Sequence, residues 1–228
     1  MITRPRVWVG ELAERFWAAA GEPPPFPRDL RLVLCWLPNL HVVEVPNLTL
    51  AAAARHLTRH GVPCHEAAED RPLAGCFGGY RGVGVILLDA ALDPADFFFT
   101  LAHELAHYLR DYDASRRRAE ARLGAWALQV LDGLRPATER ERLAGVLRGV
   151  AVGTPAHFLD RDRWGRTLTP EAREAEEGAD RLAYELLAPF DVVTAGAAPD
   201  RATLARRLVS DFALPPAEAA KYAAVLVR

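Results

Sequence analysis

The chain is poor in cross-linking residues. Of its 228 residues only three are cysteine, Cys35, Cys64 and Cys76. At least one thiol therefore stays unpaired, and a disulfide framework is excluded. Their spacing does not form a zinc ribbon either, which points to a reducing cytosol and small buried side chains. Lysine is almost missing: Lys221 stands alone among the basic residues, and the rest are arginine. Beside so much alanine, this reflects the base composition of the gene rather than a functional arginine surface. Excess charge of one sign is also lacking, and a net −2 argues against general or direct nucleic-acid binding. No apolar run approaches the ~20 residues of a membrane-spanning helix. The opening stretch MITRPRVWVGELAERFW has no long apolar segment, so no signal peptide and a cytoplasmic location are expected. What remains, 50% hydrophobic and 25% charged residues, is ordinary for a globular protein with a sizeable core.

One motif carries chemistry. His103-Glu104-Leu105-Ala106-His107 is an H-E-x-x-H pattern late in a run, 93–112, that reads as a helix. Residues four apart share a helix face, so two imidazoles can bind one metal ion. Glu104 lies at the edge of that face, placed to act on water at the metal. Turning about 100° per residue, Thr100, His103, Glu104, His107, Arg110 and Asp111 fall on one side. Phe98, Leu101, Ala102, Leu105, Leu109 and Tyr112 fall on the other. The helix thus buries an apolar face and shows a polar, metal-capable one to a cleft.

A hydrolytic zinc site needs a third protein ligand. Asp113 follows His107 by six residues, as in the metzincin pattern, but Arg110 occupies the position where that pattern has a chain-turning glycine. The better choice lies in EAREAEEGADRLAYELLAP, 171–189, a helix stopped by Pro189. Its apolar stripe is Ala172, Ala175, Ala179, Leu182, Ala183 and Leu186, with Glu176 on the border. A carboxylate there needs a partner, because burying an unpaired charge is costly. Glu177, flanked by Arg173 and Arg181 at four-residue steps, reads as solvated and ion-paired. Asp180 is the natural acceptor for a histidine ring N–H.

The remaining elements place these motifs. Helices are expected over 9–20, 48–60, 201–212 and 216–227, a short helix or strand over 29–37, and a strand at HVVEVP. Strands 73–77 and 83–88, joined through GGYRG, form a hairpin. Its edge either holds an extended peptide by strand addition or only supports the helix behind it. His56 and His60 repeat the four-residue spacing without a carboxylate nearby, so they read as exposed or capping. The last two helices read as a hairpin closing the core rather than a helix-turn-helix.

FFFTLAHELAHYL and, later, EEGADRLAYELLAP resemble the ImmA/IrrE metallopeptidases, a gluzincin-like group of bacterial cytoplasmic proteins. Their pattern is a Thr-Leu-Ala-His-Glu helix followed by E-x-x-A-N/D-x-x-A-x-E-L-L-x-P. The resemblance covers about 73–112 and 173–189. It implies His103 and His107 as metal ligands, Glu104 as general base and Glu176 as third ligand. It also implies a narrow peptidase that cleaves a helix-turn-helix repressor in a stress, DNA-damage or mobile-element response. From His107 to Glu176 is 176 − 107 = 69 residues, where the family has a much shorter connection.

The expected fold is therefore α+β. It is a mostly helical, zincin-like core with a small antiparallel sheet ahead of the H-E-x-x-H helix. That domain spans about 1–198, with a helical insert at about 113–170 and a C-terminal helical extension at 199–228. The expected metal is zinc, with manganese or another divalent ion as alternatives. His157, Tyr108 and Tyr184 are the candidate oxyanion donors. Two other classes stand beside the peptidase: a regulatory protein that sequesters a transcription factor without cutting it, and a hydrolase of small amides.

Overall fold

In the computed structural model the described residues are 3–35, 37–62, 64, 70–132, 134–139, 169–195 and 200–227. The architecture is α+β and mostly helical. Among the described residues no helix is long and apolar enough to cross a membrane.

Helix α1 (Val7–Ala20) and a short α2 (Arg31–Leu34) lead into strand β1 (Leu40–Val45) and helix α3 (Leu50–Arg59). Strands β2 (Gly75–Tyr80) and β3 (Val83–Asp89) follow. The turn between them has positive φ at Arg81 (51°) and Gly82 (85°), the two-residue hairpin geometry that matches strand twist. The sheet order is β1-β3-β2. The hairpin is antiparallel, pairing Gly75 with Leu88 and Tyr80 with Val83. β1 instead runs parallel to β3, Leu40 opposite Gly84 and Val45 opposite Asp89. The small antiparallel sheet expected from the sequence is thus present as the β2–β3 hairpin, and the parallel β1 corrects the sheet as a whole to a mixed one. A parallel neighbour requires a long crossover, and the segment containing α3 supplies it.

The strand pleat divides the core. Val85 and Leu87 of β3 face Leu57 and Ala53 of α3 in one buried cluster. Ile86 and Leu88 point the other way, into the main cluster, where the motif helix lies.

That helix, α4 (Pro94–His107), starts on Asp93, whose side chain accepts from the backbone N–H of Ala95 and Asp96, with Pro94 at its first position. It is shorter than the sequence suggests. At Tyr108 it passes into one turn of π-helix (Tyr108–Asp113), then into α5 (Ala114–Leu123) and α6 (Trp126–Leu131). A π turn adds a residue to the repeat, so a 3.6-residue periodicity does not reveal it. The Tyr112 hydroxyl at the end of this turn accepts from Gly82 N–H at 2.7 Å, tying it to the hairpin. Close approach is possible because Gly84 carries no side chain: a Cβ there would lie 2.8 Å from both Leu40 and Tyr108.

Helix α7 (Pro170–Leu187) crosses α4 and α1. Thr169 caps its start by accepting from Ala172 N–H. At its end, Arg28 donates to the Leu186 carbonyl at 2.6 Å, a cation where the helix dipole is negative. The Arg28 guanidinium is held between the rings of Trp17 (4.9 Å) and Phe26 (4.5 Å). A short α8 (Phe190–Val193), α9 (Arg201–Phe212) and α10 (Pro216–Leu226) complete the chain. Leu204, Leu208, Phe212, Ala219 and Tyr222 of the last two helices sit in the same buried cluster as α4 and α7.

Candidate metal centre

α4 and α7 bring three side chains to one point. His103 and His107 project from one face of α4, and Glu176 reaches them from α7. His103 Nε2 lies 3.2 Å from His107 Nε2 and 3.2 Å from Glu176 Oε2. His107 Nε2 lies 3.7 Å from Glu176 Oε1. The sites are largely removed from water, His107 being 4% exposed.

A carboxylate accepts from each imidazole on the far side. His103 Nδ1 is 2.9 Å from Asp180 Oδ1, and His107 Nδ1 is 2.8 Å from Asp111 Oδ2. An ionised carboxylate only accepts, so each ring carries a proton on Nδ1. In the neutral rings both Nε2 lone pairs then face each other and the Glu176 carboxylate. Three electron-rich atoms in this arrangement call for a cation among them. Burial works to lower the His103 pKa, yet the bonds to Asp180 and Glu176, followed by the charge of Glu104, raise it to about 10. The pocket therefore favours positive charge strongly enough to overcome desolvation.

The separations fit a small divalent ion. With metal–ligand bonds of about 2.0–2.1 Å, the edges of a coordination tetrahedron are roughly 3.3–3.4 Å. His103 Nε2 stands 3.2 Å from both His107 Nε2 and Glu176 Oε2, close to that value, while His107 Nε2 meets the other Glu176 oxygen, Oε1, at 3.7 Å. Two imidazoles and one carboxylate form a donor set suited to zinc, with manganese less favoured. Each histidine also has the carboxylate behind it that metal-binding histidines generally have.

Glu104 is 8% exposed on α4. Its charge acts on His103 and also on Cys76 of β2, whose thiol is pushed well up by burial first and by Glu104 second. Glu104 is therefore close enough to act electrostatically on both the histidine-bearing face of α4 and the buried thiol of β2.

The other sequence candidates fall elsewhere. Asp113 pairs with Arg117 at 2.6 Å, and Glu177 pairs with Arg181 at 3.6 Å, both apart from the three ligand atoms. The Tyr184 hydroxyl donates to Glu218 at 2.8 Å, and its ring stacks on Tyr222 at 4.5 Å. Tyr108 packs edge-on to Phe77 at 5.8 Å, and burial pushes its hydroxyl up to about 12. His157 lies outside the described residues. His56 is half-buried and His60 exposed. The His60 ring stacks on His41 at 6.2 Å. All three cysteines are free thiols.

Two residues at this centre escape a sequence reading. Asp111 reads as one more charge on a polar helix face, although its place four residues after His107 was the available signal. Arg110 reads only as the position where a glycine is missing.

No family model, no curated protein and no solved structure matches the chain. The chemistry of the centre therefore rests on its own geometry.

Proposed function

We propose that the chain is a metal-dependent endopeptidase, zinc being its preferred ion, of the kind that the ImmA/IrrE resemblance implies. The carrying observation is the convergence of His103 Nε2, His107 Nε2 and Glu176 Oε2, at 3.2 Å from one another in successive pairs, each imidazole backed by a carboxylate. A divalent ion held there supplies Lewis acidity and draws the pKa of water toward neutrality.

The chain's own part in the reaction falls to Glu104. Its carboxylate takes the proton of the attacking water and hands it to the leaving amine, a transfer that contributes about 10²–10⁴ in rate. Its buried setting keeps bulk water from competing for that proton. β2 is an edge strand whose partner among the described strands is β3, so its outer rim is where an extended peptide backbone would pair. The substrate class is a helix-turn-helix repressor, and the compartment is the cytoplasm, in keeping with three free thiols.

The test is direct. The purified chain is loaded with zinc and mixed with helix-turn-helix repressors, beginning with any that a neighbouring gene encodes. The parent chain cuts one of them, and Glu104→Gln, carrying the same zinc content, does not. Equal cutting by both, or no zinc uptake by the parent, overturns the reading.

A further inference from the structure

Arg110 lies in the π-helical turn just after His107, and its contacts reach both halves of the centre. Its Nη1 donates to the carbonyl of Ala175 at 3.0 Å, the residue that precedes Glu176. The same nitrogen lies 3.2 Å from Asp111 Oδ1, and Asp111 holds the His107 ring. One guanidinium nitrogen thus joins, by a hydrogen bond and an ion pair, the backbone that presents Glu176 and the carboxylate that orients His107.

The guanidinium has a made-to-measure place. One side meets the Trp8 ring, 5.5 Å from Cζ to centroid. The other lies on Gly178 of α7, where a Cβ would come within 2.6 Å of Arg110 Cζ. Glycine in mid-helix is a cost to α7, and here it clears the space the guanidinium fills. Outward, Arg110 opens on a cavity of about 570 Å³ between α1, α5 and α7, so its charge stays in reach of water.

We propose that Arg110 is a positioning residue of the metal centre, a clamp that sets the distance between the Glu176 helix and the two-histidine helix. The inference rests on the metal reading above. The planar fork matters as well as the charge, because a lysine ammonium cannot lie flat between Trp8 and Gly178. Gly178 is the other half of the device.

Zinc affinity, measured by chelator competition on the metal-free full chain, tests this without any substrate. Arg110→Gln is expected to bind zinc about 10–100-fold more weakly, the range seen when an outer partner of a ligand is lost. Arg110→Lys recovers only part of that. Gly178→Ala keeps every charge yet displaces the guanidinium, and is expected to weaken zinc by a similar factor. Its metal-free melting temperature should nonetheless hold or rise, since alanine favours the helix. The double variant should be no weaker than the worse single one, because both remove one interaction. Affinities of Arg110→Gln and Gly178→Ala within twofold of the parent overturn the clamp while leaving the metal reading intact. A parent chain that takes up no zinc overturns the metal reading, and the clamp with it.

Discussion

The Nε2 atoms of His103 and His107 lie 3.2 Å apart, and both rings are pinned from behind, one by Asp180 on another helix and one by Asp111 on the adjoining turn. The two pins differ in kind. The first crosses from α4 to α7, so it forms only when the helices dock. The second is local and travels with α4. One imidazole is thus oriented by tertiary packing and the other by its own segment.

Glu176 is expected to govern metal retention. Glu176→Ala should lose most of its zinc on dialysis, while Glu177→Ala and Asp113→Ala retain it, because Glu177 and Asp113 are taken up by Arg181 and Arg117. Metal content by atomic spectroscopy checks this. Equal retention in all three variants would sink the assignment of the third ligand.

Asp180→Asn should lower zinc affinity by about tenfold, toward the mild end for a lost carboxylate behind a histidine. The mildness follows from the 34% exposure of the Asp180 side chain, which lets water replace part of the interaction. Chelator competition gives the number, with Glu177→Gln as the unchanged control. An unchanged Asp180→Asn would mean that the His103 ring needs no orienting partner.

Zinc should raise the melting temperature without being needed for folding. Leu101, Leu105, Leu182 and Leu186 of α4 and α7 are buried together in the main cluster, and the driving force for that apolar burial needs no ion. At a free zinc concentration a hundred times the dissociation constant, linkage contributes about 2.7 kcal/mol. For a domain of this size that is a shift of roughly 5–11 °C. Chelation should reverse it, and Glu176→Ala should lose most of it. Differential scanning calorimetry with and without chelator is the measurement, and global unfolding on chelation would contradict the expectation.

The seat of α4 on the sheet is expected to tolerate no added methyl group. Gly84→Ala drives a Cβ to 2.8 Å from Leu40 and Tyr108 and should cost about 1–3 kcal/mol by overpacking. Gly10→Ala in α1, where a Cβ meets nothing within 4 Å, should instead stabilise by about 0.5–1 kcal/mol. Chemical denaturation of both variants distinguishes packing from helix propensity. The same sign for the two would refute the argument.

Much of this centre is legible in the sequence for definite physical reasons. Glu176 stands out because it borders a buried stripe while its neighbour Glu177 is flanked by arginines, and the structure does place Glu176 beside both histidines. Asp180 follows on the same side one turn later and meets His103. Asp111 stays hidden because a carboxylate four residues after a histidine looks like any solvated pair. The π turn is hidden because one added residue barely disturbs the apolar pattern. Arg110 means nothing until Gly178 is seen opposite it, 68 residues further on (178 − 110 = 68). The parallel pairing of β1 with β3 is likewise non-local, set by the crossover rather than by any pattern within β1.

The two histidines come from adjacent turns, whereas Glu176 arrives 69 residues after His107 (176 − 107 = 69). For a flexible connection the closing entropy grows only logarithmically, so doubling its length costs about 0.6 kcal/mol. That is no more than a single net hydrogen bond. The centre is therefore built across a seam where the chain can lengthen, shorten or receive a foreign domain almost without thermodynamic penalty, as long as α4 and α7 keep their shared packing.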